Sequence, residues 1–370
     1  MKTIAYYLPQ FHEIPENNKW WGKGYTEWES VRNAKTLYPG HYQPTEPMND
    51  YYYDLSQKSS IEWQVSLAKE YGLYGFCFHH YWFGEKMLLE KPAEIFLEEK
   101  DLEFHFCFSW ANESWKRTWS AVEGNGWNDV YDTDVNHDRT KSGMLMKQEY
   151  GDRENWDKHF MYLLPFFQDK RYIRIDDKPM FIIYHAKDIP CLHSMLKRWD
   201  SLAKQNGLKG IYIISTNNFD IQNKYINANV IYEPVFSFKR NQGRLNEMLF
   251  IYADKRRKNG KKAPWLYSYS TTWKNILNRN INSNRRTYLG GFVAFDKTPR
   301  EGKNALLYLG ASPKKFKKNF KKLVDKSKQL GNEFVFVNAW NEWGEGCYLE
   351  PDKKHRTKYL EAIRDVINRQ

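Results

Sequence analysis

Eight short apolar runs, set between longer amphipathic stretches, constrain this chain of 370 residues more than any other feature. They occupy residues 3–8, 74–78, 104–108, 180–184, 211–215, 230–232, 289–295 and 334–338. Each has the length and the β-branched or aromatic content of a strand buried on both faces. Between them, residues 60–71 set Ile61, Val65, Leu67 and Ala68 along one side and stop at Gly72. Residues 190–205 open on a proline and end before Gly207, the expected start and stop chemistry of a helix. Phe316, Phe320, Leu323, Val324 and Leu330 keep helical spacing through a lysine-rich stretch. Eight strands mostly followed by helices predict an α/β chain folded as a (β/α)8 TIM barrel, one domain over residues 1–370. No Gly-x-Gly-x-x-Gly follows the first run, which argues against a dinucleotide-binding sheet. Long loops are expected after strands 1 and 3, over residues 9–57 and 109–157, and connections of that length generally carry function.

Composition narrows the class. Aromatic residues make up 17% of the chain, the wrong content for disorder. Mean hydropathy is −0.81 and no long apolar stretch is present, so no membrane span is expected. Cys77, Cys107, Cys191 and Cys347 are far apart, and the first two sit in apolar runs as buried thiols would. Met1 and Lys2 lead straight into the first run with no signal peptide before it, which predicts a cytoplasmic location. The 57 Lys and Arg exceed the 45 Asp and Glu by 12, mostly through residues 255–262, 279–286 and 314–328. The last of these is amphipathic, so its lysines read as the solvated face of an outer helix. No nucleic-acid motif accompanies them, and nucleic acid is not an expected partner. The basic helices leave open a peripheral attachment to anionic lipid.

In such a barrel the active site forms where the strands end. After the first strand come Pro9-Gln10-Phe11-His12 and, further on, Trp20-Trp21-Gly22-Lys23-Gly24-Tyr25-Thr26-Glu27-Trp28. After the second come His79-His80-Tyr81-Trp82, and after the third Ser109-Trp110-Ala111-Asn112-Glu113. The sixth leads to Glu233-Pro234, and the eighth to Ala339-Trp340-Asn341-Glu342-Trp343-Gly344-Glu345-Gly346. Aromatic rings pack on the C–H face of a sugar, while Asn, His and Glu pair with its hydroxyls. Glycosidic-bond chemistry further needs two carboxyl groups of unlike pKa. Glu342 and Glu345 are therefore the candidate catalytic pair. His12, Trp28, His80, Tyr81, Trp82, Trp110, Asn112, Glu113, Glu233, Trp340, Asn341 and Trp343 are the candidate substrate-binding residues. Glu113 and Glu233 form a second possible carboxylate pair. Tryptophans at a barrel mouth also serve as plain packing, and Glu-x-x-Glu occurs on many solvated helices. His79 and His80 are adjacent on a strand and point to opposite faces, so they do not readily share a metal ion. No metal or cofactor is expected. Asp132-Thr133-Asp134 has the Asp-x-Asp form of some nucleotide-sugar sites but lacks a preceding apolar strand.

These motifs together resemble the WbsX-type family, associated with bacterial surface-polysaccharide clusters and related to glycoside hydrolase family 99. The segments that carry the resemblance are Tyr6-Tyr7-Leu8-Pro9-Gln10-Phe11-His12, Trp21-Gly22-Lys23-Gly24-Tyr25-Thr26-Glu27-Trp28, Gly75-Phe76-Cys77-Phe78-His79-His80-Tyr81-Trp82, Trp110-Ala111-Asn112-Glu113 and Asn341-Glu342-Trp343-Gly344-Glu345-Gly346. It runs in order from about Ile4 to Asp352. It implies a retaining enzyme in which Glu342 acts as base on the sugar's own 2-hydroxyl and Glu345 as acid and then base. The turn continues Gly346-Cys347-Tyr348-Leu349-Glu350-Pro351, nearer the WbsX-type pattern than that of the related endo-α-mannosidases, so a mannoside is not implied. The function expected is glycoside hydrolysis or transglycosylation on a bacterial surface polysaccharide or its precursor. The alternative is a glycosyltransferase of O-antigen or capsule biosynthesis. A third reading, a glycan-binding protein without catalysis, would use the aromatics and have no need of both glutamates.

Overall fold

The computed structural model describes residues 1–116, 144–238, 243–259 and 262–368. Eight parallel strands form its centre: β1 (Lys2–Tyr7), β2 (Gly75–Trp82), β3 (His105–Trp110), β4 (Lys178–Ile183), β5 (Tyr212–Thr216), β6 (Ile226–Val230), β7 (Arg286–Phe292) and β8 (Phe334–Asn338). Each pairs with the next, and β8 returns to β1 through Phe334 opposite Lys2 and Val337 opposite Ala5, which closes the barrel. Around it lie α1 (Lys58–Glu70), α2 (Lys91–Glu98), α3 (Arg153–Gln168), α4 (Leu192–Gln205), α5 (Arg244–Lys258), α6 (Tyr269–Asn278), α7 (Pro313–Gln329) and α8 (Lys358–Ile367). The chain is a (β/α)8 barrel. One departure from the repeat is the β5–β6 connection, residues 217–225, which holds no helix.

Local chemistry accounts for the helix starts. Asp152 caps α3 by accepting from the backbone N–H groups of Glu154 and Asn155, and Asn155 answers in a capping box. Ser312 accepts from Lys315 N–H at the head of α7, with Pro313 in its first turn. In α7 Phe316, Phe320, Leu323 and Val324 are buried while the lysines between them face out, the amphipathic pattern expected of an outer barrel helix.

Several strand boundaries differ from the sequence reading, β7 by three residues at each end, and for β2, β3 and β6 the difference has a visible cause. Strand β2 continues through Trp82 and β3 through Trp110, because the polar and aromatic residues beyond the apolar runs go on pairing, with His80 opposite Trp110. Alternation along β2 then decides orientation. Cys77, His79 and Tyr81 turn inward, while Phe78, His80 and Trp82 turn outward. Strand β6 begins at Ile226 rather than Val230. Its two asparagines interrupt the apolar run, but Asn227 accepts from Ile213 N–H at 2.9 Å and Asn229 from the Ser215 hydroxyl at 2.7 Å. A satisfied polar side chain can sit in a buried strand.

A third long connection, residues 231–285 between β6 and β7, carries α5, the short strand Trp265–Ser268 and α6. Trp265–Ser268 pairs in parallel with Leu306–Leu309 to form a small separate sheet. The expected long connections after β1 and β3 are present, although residues 117–143 of the second, with Asp132 and Asp134, lie outside the described residues.

The outward residues of β2 and β3 build one aromatic cluster beneath α3 and α4. His80 Nε2 lies 2.8 Å from His159 Nε2, Trp82 stacks on His159 at 4.4 Å, and Trp110 meets His159 at 4.9 Å. Trp110 also donates its indole N–H to the Trp82 carbonyl. Removing so large a fully buried ring leaves a cavity that the barrel wall cannot close. Trp110→Ala is expected to lower the unfolding free energy by about 3–5 kcal/mol, read from urea unfolding. An unchanged midpoint would contradict this packing role.

Candidate active site

Past the end of β8 the chain forms a small antiparallel hairpin, Asn341–Glu342 against Cys347–Tyr348, with a single 3-10 turn over Trp343–Glu345 at its tip. Both glutamates of the Glu-x-x-Glu motif therefore sit on one hairpin at the C-terminal mouth of the barrel. Asn341 splices it to the chain beyond β1, accepting from Leu8 N–H at 2.7 Å and donating to the Leu8 carbonyl at 2.9 Å. Trp343 stacks flat on Tyr348 at 3.8 Å and packs against Trp28 at 5.4 Å. Beneath the turn, buried Glu350 collects donors: the Trp343 indole at 2.6 Å, the Tyr53 hydroxyl at 2.8 Å and the Gln64 amide at 2.8 Å.

The two glycines of the turn have distinct reasons. A Cβ at Gly344 would fall 1.7 Å from Glu27 Oε1 and 2.8 Å from Arg300 Nε. Gly346 adopts φ 56°, where only glycine is unstrained, and packs against the backbone of Asp296.

Above the hairpin lies a cavity of 370 Å³, inside the size range of small-ligand sites. Glu342 and Glu345 line it with Glu27, Glu113, His79, Tyr81, Tyr184, Tyr232, Lys297 and Arg300 among others. Arg300 is its electrostatic centre. It donates from Nε to Glu27 at 2.7 Å, from one terminal nitrogen to Glu345 at 2.8 Å and from the other to Glu342 at 3.0 Å. Lys297 adds a contact to Glu345 at 3.3 Å. Three carboxylates thus share two cations, and the excess is unequally divided. Burial raises the Glu342 carboxyl above the usual range; Glu345 and Glu27 add to this, and Arg300 only partly opposes it. Burial acts on Glu345 as well, but there Lys297 and Arg300 prevail and hold it low. These surroundings favour the proton on Glu342 and the charge on Glu345. Burial pushes His79 down to about 4, so it faces the pair as a neutral ring, with Nε2 4.0 Å from Glu342 and Nδ1 buried without a partner among the described residues.

Of the substrate-binding candidates, Tyr81 and Glu113 line this cavity. Glu113 is half-exposed and meets His185 at 3.3 Å. The other ten do not line it. His80, Trp82 and Trp110 face outward into the cluster under α3, a consequence of the longer strands. Asn112 ties two loops together, accepting from His185 N–H and donating to its carbonyl. Glu233 is fully buried in an ion pair with Arg279 at 2.6 Å and accepts from Ser237, which removes it from the second carboxylate pair. Trp28, Trp340, Asn341 and Trp343 support the hairpin from behind; Trp340 packs on Phe76 at 5.0 Å, and the Trp28 indole donates to the Tyr53 carbonyl. His12 is buried in the connection after β1. The residues missed are chiefly His79, Glu27, Lys297 and Arg300. Lys297 and Arg300 follow β7, so inspecting that strand end as the others were would have found them. Alternation along a longer β2 would have chosen His79 over His80.

Residues 3–363 match the family described as Glycosyltransferase WbsX. The chain belongs to that family. It is 30% identical over 370 residues to uncharacterized protein WxcX of Xanthomonas campestris pv. campestris (strain B100), covering 99% of this chain and 49% of that one. It therefore spans about half the length of the curated relatives it matches. Among solved structures, this WbsX-family barrel resembles the GH99 endo-alpha-mannosidase of Bacteroides thetaiotaomicron, with TM-score 0.56 and 13% identity over 99% of this chain and 96% of that one. A glycoside hydrolase-like protein aligns with TM-score 0.57 and 12% identity, covering 99% and 93%. At such identities the likeness is one of fold.

Two outcomes follow for the WbsX-family site. Gly344→Ala should separate Glu27 from Arg300 and lower activity on any cleaved substrate by ~10²-fold, with the fold retained by circular dichroism. Wild-type activity in that variant would remove Arg300 from the centre of the site. The second concerns Glu350, whose carboxyl burial holds up to about 7. The folded chain keeps this proton where the unfolded chain has lost it, so the contribution to stability is complete below the ordinary carboxylate range and lost as pH rises to about 7. Unfolding free energy should fall as pH rises over that window, and Glu350→Gln should flatten the fall. Equal slopes in the two proteins would contradict it.

Proposed function

We propose that this chain breaks or transfers glycosidic bonds in a bacterial surface polysaccharide or its precursor, as a retaining hydrolase or transglycosylase. The observation that carries the reading is the Glu342/Glu345 pair on one hairpin, both carboxylates hydrogen-bonded to Arg300 and Glu345 in contact with Lys297 as well. A pair in such unequal surroundings supplies one acid and one base to a single bond. His79, Tyr81, Tyr184 and Tyr232 offer polar and aromatic groups for a sugar ring between the pair and the rim.

In the mechanism favoured by the family resemblance, Glu342 takes the proton of the sugar 2-hydroxyl and O2 attacks C1. The bond from C1 to the leaving oxygen breaks, and that oxygen takes a proton from Glu345. The 1,2-anhydro sugar is then opened by water or an acceptor hydroxyl, which gives its proton to Glu345 as its oxygen bonds to C1; O2 recovers its proton from Glu342. The surroundings of the pair favour the proton on Glu342, so this order requires transfer to Glu345 when substrate seats. A 2-hydroxyl donating to Glu342 favours its charged form and supports that transfer. The burial that raises Glu342 and the cations that lower Glu345 favour a second reading with the roles exchanged.

A glycosyltransferase, the activity in the family's description, would need cations for a diphosphate if its donor were a nucleotide sugar. Among the described residues, both cavity cations are already engaged by carboxylates. Binding of a nucleotide sugar by calorimetry would nonetheless decide for the transferase.

Glu342→Gln and Glu345→Gln are each expected to lower turnover of a natural glycan by at least ~10²-fold. On an aryl glycoside, whose leaving group needs no acid, the acid/base variant alone keeps its first step and is rescued by azide. Rescue of Glu345→Gln supports the first order, and rescue of Glu342→Gln the exchanged one. Near wild-type turnover in both variants would overturn the reading. A 2-deoxy analogue should bind and remain uncleaved if O2 is the nucleophile.

A further inference from the structure

Helix α5 is built inside out. Its side toward the rest of the protein buries Asn246 and Ala253, with Asn246 accepting from Ser268 N–H at 2.6 Å and donating to Thr272 at 3.4 Å. Phe250 and Arg257 lean on Trp265 and complete the attachment. The opposite side exposes Leu245 (50%), Met248 (67%), Ile251 (63%) and Tyr252 (54%) to solvent. A helix at a protein surface ordinarily buries such residues and exposes the asparagine.

Charge on that outward side has one dominant sign. Arg244, Lys255, Arg256 and Lys258 are exposed among the apolar side chains. Lys258 pairs with Asp254 at 2.8 Å, while Arg244, Lys255 and Arg256 have no carboxylate partner among the described residues. At 100° per residue, Arg244, Met248, Ile251, Tyr252 and Lys255 share one arc of the helix. Apolar side chains interleaved with unpaired cations fit a surface that offers hydrocarbon and negative charge together. A second copy of this chain would bring the same cations face to face and carries a net charge of +12. Simple polyanions would leave the apolar side chains in water.

We propose that α5 docks this protein on an anionic lipid bilayer, with Met248, Ile251, Tyr252 and Leu245 entering the interface and Arg244, Lys255 and Arg256 meeting the headgroups. The connection that carries α5 leaves the C-terminal end of β6, the same edge of the barrel that bears the cavity. Docking would thus bring that edge toward glycans held at a membrane. The inference does not depend on which reaction the cavity performs.

Co-sedimentation with phosphatidylcholine vesicles, with and without phosphatidylglycerol, tests it on the whole chain. Binding should be at least ~10-fold tighter with phosphatidylglycerol and weaken with added salt. Met248→Glu/Ile251→Glu should abolish binding, and Lys255→Glu/Arg256→Glu should remove the preference for anionic lipid, both with wild-type thermal unfolding. All four residues are exposed and lie outside the cavity. Equal sedimentation with both vesicle types, or binding that survives both double substitutions, overturns the proposal. A concentration-dependent dimer that Met248→Glu/Ile251→Glu dissociates, without vesicle binding, assigns the face to a second copy and overturns it as well.

Discussion

The site depends on one guanidinium. Arg300 reaches Glu27 from the connection after β1 and both glutamates of the hairpin after β8, while it descends itself from the connection after β7. Three strand ends are thereby held in a common geometry by groups of opposite charge. Arginine suits this position because its planar fork presents several donors in fixed directions and keeps its charge when buried. Without that charge, three carboxylates crowded at one cavity, two of them buried, would repel one another and take up protons or water. With it, burial together with Glu345 and Glu27 still raises Glu342, whereas Lys297 and Arg300 hold Glu345 low.

The supporting layer is largely neutral and aromatic. Trp28, Trp340, Trp343 and Tyr348 fix the hairpin from behind, and buried Glu350 accepts from the Trp343 indole, the Tyr53 hydroxyl and the Gln64 amide. These residues do not line the cavity, yet they determine where its carboxylates stand. Positioning by a rigid second layer is what holds acidic and basic groups within the small tolerances that proton transfer requires.

Much of this was legible in the sequence, and the failures are instructive. Short apolar runs with β-branched and aromatic residues located all eight strands, because a parallel barrel buries both faces of each strand and leaves a continuous signal. The signal weakens where polar residues enter a strand, as at His79–Trp82 or at Asn227 and Asn229, and there the boundaries were lost. Moving the end of β2 from Phe78 to Trp82 changes loop residues into strand residues, and strand residues must alternate. That single change sends His80 and Trp82 outward and brings His79 to the floor of the site. Tryptophan was the misleading cue. A Trp near a strand end can face a ligand or pack behind the residue that does, and composition does not distinguish them. The Glu-x-x-Glu turn was recognisable since its glycines mark a tight turn at a strand end. Arg300 is marked only by its place after β7, since its three partners are distant in sequence and become neighbours only when the barrel closes.

Both glutamates lie on one hairpin of eight residues, Asn341 to Tyr348, closed by its own backbone pairing. Their separation is a local property of that turn, whereas the remaining wall is assembled from loops that leave several different strands. The carboxylate pair and the cavity wall are therefore mechanically separable. Loops can lengthen, shorten or exchange side chains around a fixed pair of carboxyl groups, so long as one arginine still reaches them. Under the proposed function, a barrel arranged in this way can change the glycan it accepts while keeping its chemistry, and relatives of this chain are expected to differ most in the walls and least in the hairpin of eight residues beneath them.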